Sequence, residues 1–186
     1  MVDLDQLWLP IIVSSVVVFV VSSLVHMVLP WHKGDFPKLP EEDKIMEALR
    51  PFKLTPGEFM APRASGRKEM KSAEFADKLR KGPIFIITVF PNGRPGMGKS
   101  LGLWFVYTII IGIFSAYVAG RTAVQPLDSM QVFRLASTTA FLGYAMALWE
   151  MSIWFGRPWR TSIKATADGL IYGIATGLVF SCMWPK

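Results

Sequence analysis

Residues 7–31, LWLPIIVSSVVVFVVSSLVHMVLPW, run for 25 positions without an Asp, Glu, Lys or Arg. At about 1.5 Å of rise per residue, a helix of that length exceeds the roughly 30 Å hydrocarbon core of a bilayer. A surface helix of a soluble domain keeps a charged face, and this stretch has none. Asp3 and Asp5 precede it, basic residues follow it, and no small-x-small cleavage site closes it. It therefore reads as a retained span and not as a removed leader.

Three further stretches fit the same description. LGLWFVYTIIIGIFSAYVAG (101–120) is uncharged, 135–156 holds one acid, Glu150, and 165–185 holds one acid, Asp168. The expected fold class is an all-α membrane protein: four transmembrane helices, with a small α/β insertion between spans one and two. The expected divisions are a first helix at 1–31, an insertion at 32–100 and a three-helix bundle at 101–186.

Charge sets the expected orientation. Of the 20 Lys and Arg residues, 17 fall in 32–100 or between the last two spans and 3 on the opposite side, which puts residues 32–100 in the cytoplasm and both termini outside. Trp8 and Trp184 fall at outer ends of spans, and Trp31, Trp104, Trp154 and Trp159 at inner ends, as expected of a ring that is apolar but carries an N–H. The net charge of +6 is accounted for by a basic collar facing anionic lipid, so no nucleic-acid partner is expected. A single cysteine, Cys182, excludes an internal disulfide.

Within 32–100 the pattern predicts a helix near 40–50, opened by Pro40 and three acids and ended by Pro51. A turn at Pro56-Gly57 leads into a short extended piece. A second helix is expected between 66 and 82, with Ser72 as a candidate cap and Gly82 as its stop. IFIITVF (84–90) is the best strand candidate. About 60 residues is small for an independent core, so the insertion is expected to pack on something else.

The segment from Gly93 to Ser100 matches the phosphate-loop pattern G-x-x-x-x-G-K-[ST]. That loop needs a central strand of a parallel sheet before it and a covered helix after it. Here the following helix is a membrane span, so neither nucleotide binding nor enzymatic activity is expected. Arg94, Lys99 and Ser100 instead form a candidate contact for a lipid headgroup at a helix start.

Intramembrane ionisable groups are costly and mark either a function or a polar clasp between helices. His26, Glu150 and Asp168 fall at similar depth below the inner face, and Lys164 lies one turn before Asp168, within pairing reach. These four form a candidate polar cluster, with a clasp as the simplest role and proton or ion transfer as the alternative. The ligand spacing is not local and His32 is placed at the interface, so no metal and no cofactor are expected.

Gly169, Gly173 and Gly177 form a G-x-x-x-G-x-x-x-G ridge, and Gly112, Ala116 and Gly120 repeat the device in the second span. Such ridges let helices approach closely, within one chain or between subunits.

The run GPIFIITVFPNGRPGMGKSLGLWF, followed by YVAG, VFR and DGLIYGIATGLVFSCMWP, resembles a family of small bacterial multi-pass membrane proteins with no assigned activity. The resemblance implies an inner-membrane location and carries over no catalytic residue. The resulting expectation is a non-enzymatic structural or accessory subunit, packed with membrane lipids and with other membrane subunits or itself. The alternative is a small ion- or proton-translocating unit.

Overall fold

The computed structural model describes residues 2–93, 96–122 and 128–185. In chain order, a 3-10 turn at Leu4–Leu7 leads into α1 (Trp8–Ser23), whose continuation at Leu24–Val28 is a π-turn, followed by a 3-10 turn at Pro30–His32. Then come α2 (Glu42–Leu49), β1 (Gly57–Ala61), the single turn α3 (Arg67–Met70), α4 (Ala73–Lys81) and β2 (Phe85–Val89). The chain continues through α5 (Met97–Thr122), α6 (Ser129–Ala145), α7 (Trp149–Phe155) and α8 (Trp159–Cys182). It divides into two compact units, Met1–Pro37 with Gly96–Lys186, and Lys38–Pro95.

Among the described residues of the helical unit, three helices are long and apolar enough to cross a membrane: Leu4–Val28, Met97–Thr122 and Trp159–Cys182. The expected span at 135–156 is not a single helix. A 3-10 turn at Met146–Leu148 divides it into α6 and α7. The division falls at a close approach of α6 to α8, since a Cβ added at Gly169 would lie 2.7 Å from the Ala145 Cβ. Beyond it, α7 packs again on α8, with Trp149 Nε1 donating to Thr166 Oγ1 at 2.9 Å and the Ser152 and Ser162 hydroxyls 2.7 Å apart. Gly156, with φ of 67°, then closes the turn into α8 in the left-handed region that favours glycine.

Burial in this unit differs from that in a soluble protein: small polar residues share the interior with Val18, Ile111 and Phe180, and the outer surface is apolar. Ser14, Ser15, Thr108, Ser115, Ser162 and Thr176 are buried, whereas Val16, Val20, Ile110, Phe114, Ile174 and Leu178 face outward. Small polar residues allow close helix approach, and the outward apolar face suits lipid. The glycine ridge of α8 is filled by α6: a Cβ at Gly173 would lie 2.9 Å from the Ser137 carbonyl oxygen, and one at Gly177 would lie 2.9 Å from that of Phe133. In α5, Gly112 faces Ile11 of α1, Ala116 is fully buried, and Gly120 lies against Val2 and Leu7.

The Lys38–Pro95 unit is built on different terms. β1 and β2 pair antiparallel, Gly57 opposite Val89 and Ala61 opposite Phe85, as a sheet of two strands. Ser72 caps α4, its hydroxyl accepting from the Phe75 N–H at 3.1 Å, and Gly82 ends that helix with φ of 56°. Glu42 and Asp43 occupy the first turn of α2, which starts two residues after Pro40. Phe75 is the only buried hydrophobic residue among those described in this unit.

Candidate functional site

The polar centre of the helical unit forms where the first span ends and α8 begins. Leu29 N–H donates to the Leu24 carbonyl at 3.1 Å, five residues back, which is the bond of a π-turn. Such turns recur at functional sites because they re-aim side chains within a helix. Here the π-turn carries His26, and the 3-10 turn after it carries His32. The two imidazoles stack in parallel, with centroids 4.3 Å apart and planes 6° from parallel. On a regular α-helix, residues six apart are separated by roughly 240° around the axis and do not meet.

His32 links two carboxylates. Its Nδ1 lies 2.6 Å from Asp35 Oδ2 and its Nε2 lies 2.9 Å from Asp168 Oδ2. Lys164 completes the chain, donating to Asp35 Oδ1 and to the Trp31 carbonyl, each at 2.6 Å, with its ammonium 5.7 Å from the Trp31 ring centre. Both carboxylates are nearly dry, with side chains 7% exposed at Asp35 and 6% at Asp168. Burying such charges is tolerable only when each is paired and hydrogen-bonded, and here each is. The Lys164 ammonium, then the His32 ring, hold the Asp35 carboxyl below the ordinary carboxylate range, against the opposing effect of its burial.

His26 has its own support. Its Nδ1 lies 3.0 Å from the Ser22 carbonyl oxygen, which can only accept, so that nitrogen carries a proton, and in the neutral ring Nε2 carries the lone pair. Tyr172 Oη lies 3.4 Å from the same Nδ1. The Ser22 hydroxyl in turn accepts from Trp104 Nε1 at 2.8 Å. His26 borders a cavity of about 330 Å³ between the end of the first span and the start of α5, also lined by Met27, Met97, Ser100 and Trp104.

Of the residues singled out in sequence, His26, Lys164 and Asp168 come together and Glu150 stays apart, exposed on α7 and in no ion pair among the described residues. Lys164 and Asp168 share a face of α8 but do not pair with each other: Lys164 reaches Asp35 and Asp168 reaches His32. His32 and Asp35 were not singled out for this cluster. The available signals were Pro30, which breaks the helix between the two histidines, and the His32–Asp35 spacing, which suits one helical turn.

The phosphate-loop match lies in a different setting from the one that pattern requires. β2 belongs to a two-stranded antiparallel sheet, and Gly98, Lys99 and Ser100 are already inside α5. Lys99 and Ser100 are exposed, and Ser100 borders the cavity beside His26. Arg94, the third residue expected at a lipid headgroup, lies outside the described residues.

Comparison with protein families, with curated proteins and with solved structures gives no match to this chain.

Proposed function

We propose that the chain is a non-enzymatic accessory subunit of a larger membrane assembly, a helical anchor that carries a docking module. The observation behind this reading is the Lys38–Pro95 unit, which buries a single hydrophobic side chain, Phe75, while Phe52, Met60, Ile84 and Phe90 are exposed. About 60 residues with one buried apolar side chain fall short of an independent core. The unit gains its missing apolar cover from a partner. A groove lined by Met46, Leu49, Leu54, Ile87 and Phe90, with Arg50 and Lys53 among its walls, suits an apolar segment that carries acidic residues. The anchor is a bacterial inner-membrane bundle of four spans, α6 and α7 together making the third, with both termini periplasmic and residues 32–100 cytoplasmic. Its orientation follows the distribution of Lys and Arg.

The glycine ridges do not serve as the partner surface in this reading, because α6 and α1 already occupy them. The test is photo-crosslinking in native membranes from a probe at Phe90. The expected result is a discrete heteromeric adduct that disappears in Met46→Glu. A chain that yields no adduct, or an adduct unchanged by Met46→Glu, overturns the reading.

A second reading, a small cation-translocating unit, is favoured by the convergence of His26, His32, Asp35, Lys164 and Asp168 at one end of the bundle. Four hydroxyls deeper in the bundle weigh against it. Ser14 and Ser15 bond to the Ile11 carbonyl, Thr108 to Phe105 and Thr176 to Tyr172, each turning back on its own helix. Cation flux in liposomes lost in Asp168→Asn and kept in Glu150→Gln is the outcome this second reading requires; equal flux in both sinks it.

A further inference from the structure

We propose that His26, His32 and Asp168 bind one divalent first-row transition-metal ion, with Asp35 and the Ser22 carbonyl orienting the two imidazoles. The proposal rests on the geometry of the helical unit and on neither functional reading above.

One ligand atom from each of the three side chains lies within 4.8 Å of the other two. A zinc-like ion bonded at about 2.0–2.2 Å to nitrogen and oxygen holds its ligand atoms roughly 3–3.5 Å apart. The His32 Nε2 to Asp168 Oδ2 distance, 2.9 Å, is already near that spacing. The parallel stack points the two lone pairs side by side and not at one point, so ion binding would turn the His26 ring, which is exposed and borders the cavity, out of the stack.

The outer contacts are those of a metal centre. A metal-binding imidazole commonly donates its second N–H to a carboxylate or a backbone carbonyl, which fixes the tautomer and the ring direction. Both histidines do so through Nδ1, His32 to Asp35 at 2.6 Å and His26 to the Ser22 carbonyl at 3.0 Å. Lys164 then holds Asp35 at 2.6 Å. A clasp between helices needs the Lys164–Asp35–His32–Asp168 chain alone. It gives no reason for a second imidazole, held by its own Nδ1 bond, to lie beside the first.

Charge and ligand type narrow the ion. Without metal, both His32 nitrogens face carboxylates, so a bound ion would take the place of the Nε2 proton; the cluster then carries two carboxylates against one ammonium, a balance that favours a cation. Two nitrogens and one oxygen suit zinc or iron(II), whereas calcium and magnesium prefer all-oxygen sites and copper(I) prefers sulfur. Three protein ligands leave coordination positions open, and the cavity beside His26 gives water or a small anion access to them.

The test uses the full chain in detergent, stripped with chelator and titrated with Zn²⁺ alone by calorimetry, with bound metal counted by mass spectrometry. The expected result is one zinc per chain, and visible d–d bands when Co²⁺ replaces it. Asp35→Asn, a positioning change, is expected to weaken zinc by about 10–100-fold. His26→Gln removes a ligand and weakens it further, while Glu150→Gln, outside the cluster, leaves it unchanged. Because the His26 side chain is exposed, that variant decides the matter even if Asp168→Asn fails to fold; elution volume and helical circular dichroism check the fold. Substoichiometric zinc in the wild type, or wild-type affinity in His26→Gln, overturns the proposal.

Discussion

The two units of this chain solve burial in opposite ways. The helical unit buries Ser14, Ser15, Thr108, Ser115 and Thr176 beside Val18, Ile111 and Phe180, and turns many further large apolar side chains outward. The Lys38–Pro95 unit keeps its charges outward as a soluble domain does, yet buries only Phe75 among its described hydrophobic residues. The first arrangement is complete once lipid surrounds it, because close helix contact replaces the hydrophobic effect as the source of cohesion. The second is incomplete by the rule that governs soluble domains, since a core has to offset the entropy of ordering the chain. Stability in one unit is therefore expected to depend on backbone contact and polar pairing, and in the other on a few side chains and whatever docks against them.

The largest expected effect tests the polar pairing. Lys164→Met removes the cation from a buried chain and leaves Asp35 without its main partner, which is expected to cost the helical unit about 3–5 kcal/mol. Unfolding of the purified protein in graded denaturing detergent measures it, and a loss below 1 kcal/mol would mean that water reaches the cluster freely.

Phe75→Ala provides the complementary break in the other unit. A buried phenylalanine truncated to alanine costs about 3–5 kcal/mol, more than so small a core can spare. Limited proteolysis should then cut within 38–95 while α5 to α8 stay protected. Simultaneous loss of both units would show that they fold as one.

Close helix contact is tested by Gly177→Ala. The added Cβ would meet the Phe133 carbonyl oxygen at 2.9 Å and the Ser137 Cβ at 2.7 Å, so a cost of about 1–3 kcal/mol is expected. Gly102→Ala on α5, where nothing lies within 4 Å, is the contrast and should leave stability unchanged or raise it. The smallest effect is Ser72→Ala, which removes the α4 cap and should cost about 1 kcal/mol, read as faster amide exchange confined to 73–81.

Much of this architecture was legible because it follows from composition or from local pattern. The uncharged run at 101–120 lies in one of the helices long enough to span, and 7–31 and 165–185 fall mostly within the other two. Ser72 and Gly82 mark the ends of α4 because capping is a local interaction. The break at Met146–Leu148 was not legible: Met-Ala-Leu contains no glycine or proline, and what accompanies it is the approach of Ala145 to Gly169, a contact across the bundle. Glu150, which follows that break, is not part of the group formed by His26, His32 and Asp168.

The cluster was half legible for a similar reason. The four-residue spacing puts Lys164 and Asp168 on one face, but their partners come from Asp35 and His32, more than 125 residues away in sequence. Helical periodicity separates His26 from His32, and only the π-turn and the 3-10 turn bring them together. Metal-ligand spacing was invisible for the same cause, since the pattern presumes a regular helix.

The π-turn at Leu24–Val28 amounts to one surplus residue in an otherwise regular rod. Everything after it is offset by one step, about 100° of rotation and 1.5 Å of rise. A single-residue deletion within that turn would leave the composition, charge and hydropathy of the span almost untouched. It would nevertheless swing Trp31, His32 and Asp35 away from α8 as a block. A change of one codon could thus disconnect the polar centre while the anchor still inserts, so the part of the first span most sensitive to length is its last turn and not its apolar middle.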